Sequence, residues 1–138
     1  MTWDPVNYKH QELTQVILGV FYEVYNELGC GFLESVYQEA MLIALRQRGA
    51  MVESQSPLPV WFRGERIGDF RADLIVGNAV IVELEAGRDL EPVHDAQLLN
   101  YLRASELEVG LLLNFGPAPK IRRLVFANEK KKNLRLSA

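Results

Sequence analysis

Apolar side chains recur at helical spacing in the first third of the chain and predict two helices. The apolar residues that occupy one face of the first helix are Leu13, Val16, Ile17, Val20, Phe21, Val24, Tyr25 and Leu28. Gly29 follows them and is suited to a helix end. After a break at residues 29–31, the same periodicity predicts a second helix over residues 33–48. Gly49 closes that helix.

The pattern then changes to the alternating and continuous apolar runs that are typical of strands. We expect strands at residues 51–55 and 58–63, where Pro57 and Pro59 favour a sheet edge or an irregular entry. A turn at residues 63–66 separates them from the strands that follow.

The next two runs, residues 69–76 and 79–85, predict a hairpin that turns at residues 77–78, Gly-Asn. Downstream of this hairpin, residues 92–104 predict a third helix, and Pro92 suits its first position.

Two further strands are predicted at residues 109–115 and 121–126, on either side of a Gly-Pro-Ala-Pro loop. A strand, a helix and another strand in succession suggest a crossover between parallel strands. The whole order therefore predicts an α/β (α+β) fold, in which a mixed β-sheet is flanked by two N-terminal helices and one crossover helix.

Charge is distributed unevenly along the chain. Residues 120–138 contain seven basic side chains and one acidic side chain, which gives +6; because the net charge is −3, residues 1–119 carry −9. A basic end on an acidic body is compatible with phosphate binding by the former and cation binding by the latter. A solvated, frayed end is the plainer interpretation.

Composition also excludes several classes of protein. The single Cys30 rules out a disulfide framework and a cysteine-based metal site, and it suggests a reducing compartment. No apolar run has the length of a membrane span, and the N-terminus lacks the features of a signal peptide. We therefore expect a cytoplasmic protein with no membrane partner.

The candidate chemistry lies in carboxylates on the predicted hairpin. Asp73 interrupts one apolar strand, and Glu83 and Glu85 share a face of the next because they are two residues apart. Two unit charges ~4 Å apart repel by about 4 kcal/mol at an effective dielectric constant near 20. Such a group needs protons, arginines or a divalent metal. Arg71 and Arg88 are the basic residues that could pair with these acids at the strand ends.

Five segments resemble, in order, those of a known family. Residues 31–37, Gly-Phe-Leu-Glu-Ser-Val-Tyr, match the GxxExxY pattern that names a group of small bacterial and archaeal proteins. The other segments are residues 71–73, 82–84, 92–103 and 110–115. The resemblance covers roughly residues 12–127, and it places the chain in the PD-(D/E)XK nuclease-like superfamily. A single such domain over residues 1–127, with a restriction-endonuclease-like core and a basic tail at 128–138, is the resulting expectation.

The resemblance also implies roles for individual residues. Asp73 and Glu83 would be the metal-ligating acids of the superfamily, and Glu34 an additional acid brought to the metal. Gln97 and Tyr101 are similar to a QxxxY element that lies beside the active site in some nuclease branches. Glu85 occupies the position where the superfamily has a lysine. A glutamate cannot stabilise charge on a phosphate, but it can accept a proton or ligate a second metal.

The expected function is therefore a nuclease that uses Mg²⁺ or Mn²⁺ to hydrolyse DNA or RNA phosphodiesters. Basic residues near the C-terminal end offer a path for the nucleic acid: Arg122, Arg123, Lys130, Lys131 and Lys132. The alternative is an inactive nuclease fold that binds nucleic acid or protein as an assembly module. A homodimer is a third expectation.

Three features have structural interpretations that compete with the chemical ones. His94 is either a proton shuttle or a capping residue near a helix start. Glu34 could simply complement a helix dipole. Gln97 and Tyr101 could satisfy backbone groups and pack on the sheet, and Tyr37 is expected in the core.

Overall fold

The computed structural model describes residues 9–132. Its elements are, in order, α1 (Gln11–Leu28), α2 (Glu34–Gln47), β1 (Val52–Phe62), β2 (Glu65–Val76), β3 (Val80–Glu85), α3 (Pro92–Ala104), β4 (Val109–Phe115) and β5 (Pro119–Val125), followed by a 3₁₀ turn (Asn128–Lys130). Within these residues, no helix combines the length and apolarity needed to cross a bilayer. The predicted tail at 128–138 is described only as far as residue 132, and residues 133–138 lie outside the described part.

The strands form one mixed sheet in which sequence neighbours are also neighbours in space, in the order β1-β2-β3-β4-β5. The β1–β2, β2–β3 and β4–β5 pairs are antiparallel, whereas β3 and β4 are parallel. Helix α3 makes the crossover between the two parallel strands, because a parallel pair needs a connection that returns along the sheet. The predicted mixed sheet and its crossover helix are confirmed.

Helices cover both faces of the sheet and divide the core in two. On one face, α1 and α2 bury Phe21, Tyr37 and Met41 against side chains of β3 and β4 such as Leu84 and Phe115. On the opposite face, α3 buries a smaller set that includes Leu98, Leu102, Ile81 and Leu112. Strand β3 is buried on both faces, which explains the apolar run Val80–Val82 at its start. Glu83 and Glu85 share the α3 face with Ile81.

The structure corrects the predicted strand boundaries. The strands expected at 51–55 and 58–63 are one continuous strand, β1, which lies at the sheet edge as its prolines suggested. It is interrupted locally at Gln55, where a φ of 52° breaks the alternation without ending the pairing, and its register shifts between Val60 and Trp61. Strand β2 begins at Glu65, earlier than expected, because a two-residue turn at residues 63–64 continues the hairpin. Strand β5 begins at Pro119, inside the expected loop.

The helices lie close to their predicted positions. Helix α1 ends at Leu28, and Gly29 follows it with a φ of 67°, a conformation that favours glycine. Helix α3 spans the predicted residues with Pro92 in its first turn. Periodicity was sufficient here because each helix buries one continuous apolar face.

Candidate active site

The candidate site begins where strands β2 and β3 separate. Their ladder continues only as far as the Leu74–Val82 pair. Beyond it, two carboxylates take the place of backbone partners: the Asp73 N–H donates to Glu83 Oε2 over 2.7 Å, and the Leu84 N–H donates to Asp73 Oδ2 over 2.9 Å. The acidic side chains therefore satisfy the backbone groups that the diverging strands expose.

Each of these two carboxylates keeps its second oxygen for another partner. Gln97 Nε2 lies 3.4 Å from Glu83 Oε1, and Gln55 Nε2 lies 3.5 Å from Asp73 Oδ1. Both distances exceed those of well-formed N–H···O hydrogen bonds. One oxygen of Asp73 and one of Glu83 are thus held in place without a strong partner.

Glu34 and Glu85 complete the cluster of four acids. Glu85 lies two residues after Glu83 on the same strand, and Glu34 lies in the first turn of α2. Glu34 is close enough to Glu85 for the two carboxyl groups to interact by charge and by a hydrogen bond. Glu83 is the buried member, with 3% of its surface exposed, whereas Glu34 is exposed. The cluster therefore extends from the sheet interior to the surface.

Burial and mutual repulsion raise the pKa of three of the four acids. Burial, and then the charge of Asp73, raise the pKa of Glu83 to about 8. Burial raises the pKa of Asp73 and of Glu85, and the charge of Glu34 adds to both effects. The pKa of Glu85 rises to about 7, so Glu83 and Glu85 hold protons to a large extent near neutral pH unless a cation replaces them.

Gln97 and Tyr101 lie beside Glu83, as the resemblance implied. Gln97 Nε2 donates to the Tyr101 hydroxyl over 2.8 Å in addition to its approach to Glu83. The Tyr101 ring packs against Phe70 of β2, with 4.9 Å between ring centroids. Gln97 and Tyr101 thus connect the acidic cluster to the core beneath α3. The pair packs on the sheet and also lies beside the acids.

Gln55, which no pattern in the sequence singles out, also borders the cluster. Gln55 has a positive φ in an edge strand, and its side chain reaches both Asp73 and Gln38 Oε1, the latter at 2.8 Å. Non-glycine residues with positive φ are uncommon, and they concentrate at functional sites. Only the strained backbone identifies Gln55, because glutamine in a polar edge strand is otherwise unremarkable.

Asn114 holds the loop that leaves β3 just after Glu85. Its amide is fully buried and makes two bonds to one residue: it accepts from the Gly87 N–H over 3.2 Å and donates to the Gly87 carbonyl over 3.1 Å. A Cβ on Gly116 would lie 2.3 Å from the same carbonyl, so glycine is required there. Residues at the end of β4 thus fix the path of the loop that follows β3.

The GxxExxY segment has a structural explanation in Tyr37. Its ring is fully buried and stacks on Phe115, with 4.0 Å between centroids. Its hydroxyl donates to the Gly29 carbonyl over 2.6 Å and accepts from the Phe32 N–H over 3.2 Å. Tyr37 is therefore a core residue, as expected, and it fastens the loop that leads into Glu34.

The Tyr37→Phe variant is expected to lower the free energy of unfolding by about 1 to 3 kcal/mol, because two backbone groups lose their partner. Denaturant unfolding measures this loss. Tyr22→Phe is the matched control, since the Tyr22 side chain is 44% exposed and its loss of a hydroxyl should be nearly neutral. Equal effects of the two substitutions would show that the hydroxyl bonds of Tyr37 do not support the loop.

The acids are not paired with arginines at the strand ends. Among residues 9–132, no lysine or arginine forms a salt bridge with any of the four acids. Arg71 instead donates to the Gln55 carbonyl over 2.9 Å, and Arg88 is exposed. The basic side chain that does contact the cluster is that of His94, whose Nε2 lies 3.5 Å from Glu85 Oε2.

The donor set fits a hard divalent cation. In the described part of the chain, no three potential ligands stand close enough to form a ready-made metal cage. Mg²⁺, however, usually binds through one or two carboxylates together with waters and substrate phosphate. The weakly held oxygens of Asp73 and Glu83 meet that requirement, and a cation would offset the burial and the repulsion that raise the pKa values of these two acids.

The predicted nucleic-acid-binding residues do not form one surface. Arg122 pairs with Asp95 in the first turn of α3, on the face that carries Glu83. Arg123 donates to the Lys9 carbonyl near the start of α1, on the other face. Lys131 donates to two carbonyls just after α3, those of Ser105 and Leu107, each over 2.7 Å, and burial lowers its pKa to about 8. Lys130 and Lys132 are exposed.

Comparison with known proteins agrees with the observed fold. The family model of the PD-(D/E)XK nuclease superfamily matches residues 11–124. The crystal structure of SSO0001 is similar, with a TM-score of 0.52 and 20% sequence identity over 88% of this chain and 61% of that one. The chain thus spans about three fifths of the length of that protein. No curated protein matches the chain.

The chain therefore belongs to the PD-(D/E)XK nuclease superfamily, since the family model covers most of its length. Its five-stranded mixed sheet with three helices is a restriction-endonuclease-like fold. Nucleases of this superfamily generally use divalent metals and act on nucleic acids.

Proposed function

We propose that this protein is a metal-dependent nuclease of the GxxExxY type, which hydrolyses phosphodiesters of DNA or RNA with Mg²⁺ or Mn²⁺. The observation that carries the proposal is the separation of β2 and β3 at Asp73 and Glu83. Each carboxylate is anchored through one oxygen to a backbone N–H, so the other is positioned toward the site. Asp73 and Glu83 would hold the metal, with assistance from Glu34.

A divalent cation bound there would supply a Lewis acid for the scissile phosphate. Glu85 would accept the proton of the attacking water as the new phosphorus–oxygen bond forms and the leaving oxygen departs. Its raised pKa suits this task, because a base works best when its pKa is near the working pH. Gln97 and Tyr101 would border the substrate phosphate.

The nucleic acid would approach along the α3 face. Arg122 lies on that face near the first turn of α3, and Lys120 lies beside it, 3.3 Å from Asp89. Both are exposed, so phosphates could compete for them with their acidic partners. Arg123, Lys130, Lys131 and Lys132 would act only at a distance from the acids, because they occupy the opposite face or the far end of α3.

The alternative function is an inactive nuclease fold that binds nucleic acid or protein as an assembly module. Glu85 in the lysine position favours it, because the site then lacks a cation to stabilise charge on the phosphate. The predicted homodimer draws support from apolar side chains on the outer side of α2, where Leu33 is 76% exposed and Ile43 is 58% exposed.

Calorimetric titration with Mn²⁺ tests the proposed metal site without a known substrate. We expect the wild-type protein to bind Mn²⁺ and the Glu83→Gln variant to lose that binding, because the amide keeps an acceptor for the Asp73 N–H but lacks the charge. Asp89→Asn is the matched control, since Asp89 is exposed and pairs with Lys120 outside the cluster. Unchanged binding by the Glu83→Gln protein would refute the assignment.

A further inference from the structure

His94 is held by a capping box at the start of α3. Its Nδ1 accepts a hydrogen bond from the Glu91 N–H over 2.9 Å, and the Glu91 side chain accepts one from the His94 N–H in return. This reciprocal pair satisfies the Glu91 N–H and adds to the bond of 2.9 Å that the His94 N–H makes to the Glu91 carbonyl. The ring is therefore fastened on its Nδ1 side, as the capping interpretation predicted.

The capping bond also determines where the imidazole carries its proton. A nitrogen that accepts a hydrogen bond has a free electron pair and bears no hydrogen. In a neutral imidazole the other nitrogen must then be the N–H donor. His94 is consequently the Nε2–H tautomer whenever the ring is neutral, and its Nε2 cannot ligate a metal while the cap is formed.

The Nε2–H faces the acid that replaces the superfamily lysine. It lies 3.5 Å from Glu85 Oε2, with both side chains mostly covered, at 19% and 18% exposure. The acids that interact with Glu85 are Glu34, Asp73 and Glu83. His94 thus brings an N–H donor to a carboxylate whose other charged neighbours are acids.

We propose that His94 is a positioning residue, which uses a tautomer set by the helix cap to hold Glu85 in place through its Nε2–H. This inference rests on the proposed function, because it assigns His94 to the site in which Glu85 acts as the base. The contact is directed at Oε2, and its 3.5 Å exceeds the length of a well-formed hydrogen bond, so it orients the carboxylate and leaves it able to receive a proton. A neutral donor orients the carboxylate without neutralising it, which a lysine beside the same group would do.

Nitrogen-15 spectroscopy of histidine in the metal-free protein tests the inference. The chain contains two histidines, and in a His10→Asn variant the ring nitrogen resonances come from His94 alone. Asparagine suits that position, where φ is 58°. At about pH 8, where an ordinary imidazole is neutral, we expect Nδ1 to lack a proton and Nε2 to carry it. Glu85→Gln should shift the Nε2–H resonance, and the control Asp89→Asn should leave it unchanged.

Three results would overturn the inference. They are a proton on His94 Nδ1, a doubly protonated His94 ring, and an Nε2–H resonance that does not shift in the Glu85→Gln variant. A second variant covers the case in which Glu85→Gln does not fold. His94→Gln keeps a capping acceptor at this position, so it should preserve the melting temperature, while the side-chain carboxyl carbon-13 resonance of Glu85 moves. An unmoved resonance would also refute the role.

The two proposals can fail separately. The histidine spectrum is recorded without metal or substrate, so the expected tautomer together with an absence of cleavage would uphold the role of His94 and refute the nuclease. Metal-dependent cleavage by a protein with the opposite tautomer would uphold the nuclease and refute the role of His94.

Discussion

The Asp73→Asn variant is expected to lose at least about 100-fold in the rate of metal-dependent cleavage, the scale at which a single electrostatic group in an active site contributes. Asparagine has nearly the same shape and keeps an oxygen that can accept the Leu84 N–H, so the separation of β2 and β3 should persist. What it removes is the charge through which Asp73 would hold the cation. The measurement is cleavage of single- and double-stranded DNA and RNA with Mn²⁺.

Asp69→Asn serves as the control for cleavage, because it makes the same chemical change at an exposed position whose partner is Arg66. Its cleavage rate should match that of the wild type, and denaturant unfolding should show that Asp73→Asn remains folded. Cleavage by Asp73→Asn at the wild-type rate would contradict the assignment of Asp73 as a metal ligand.

The same assay, applied to Glu85→Lys, distinguishes the nuclease from the assembly module. If Glu85 is the base, lysine at this position abolishes the wild-type activity. If the natural protein is an inactive nuclease fold, the wild type does not cleave, and lysine restores the cation that the superfamily has there. Activity created by Glu85→Lys would therefore support the alternative function.

The metal-free protein is expected to lose about 3 to 5 kcal/mol of stability as the pH rises from about 5 to 8, the amount that corresponds to the shift at Glu83. The pKa of Glu83 is about 8 in the folded protein, against an ordinary value of 4.5. Between these values the folded state binds more protons than the unfolded state, so stability falls with rising pH. The raised pKa values of Asp73 and Glu85 act in the same direction.

Denaturant unfolding at several pH values measures this loss, and Glu83→Gln should remove most of it. Mn²⁺ should restore stability at pH values near 8, because it binds only the folded, deprotonated site. Glu108 does not obscure the result: its pKa is lowered, so its contribution is lost only at acidic pH, below the window. His10 acts in the opposite direction, because its pKa is lowered by burial. A pH dependence that is the same in the wild type and in Glu83→Gln would therefore show that the pKa of Glu83 is not raised in the folded protein.

Local signals were sufficient for much of the fold and for part of the site. The spacing of apolar residues located all three helices, because each buries a continuous face that the 3.6-residue period makes visible. The two-residue alternation of side chains along a strand predicted that Glu83 and Glu85 share one face of β3. The same signals failed at β1, where two prolines in an edge strand look like a break although the ladder continues through them.

The amino-acid sequence by itself determined the elements, their order and the concentration of acids on one hairpin, since these depend on neighbours within a few residues. The tertiary structure alone decided that β2 and β3 separate at Asp73, that Gln55 turns toward it, and that a helix cap directs His94 to Glu85. It also dispersed the basic residues over two faces. Such contacts join distant segments, so their geometry follows from how the sheet and helices pack.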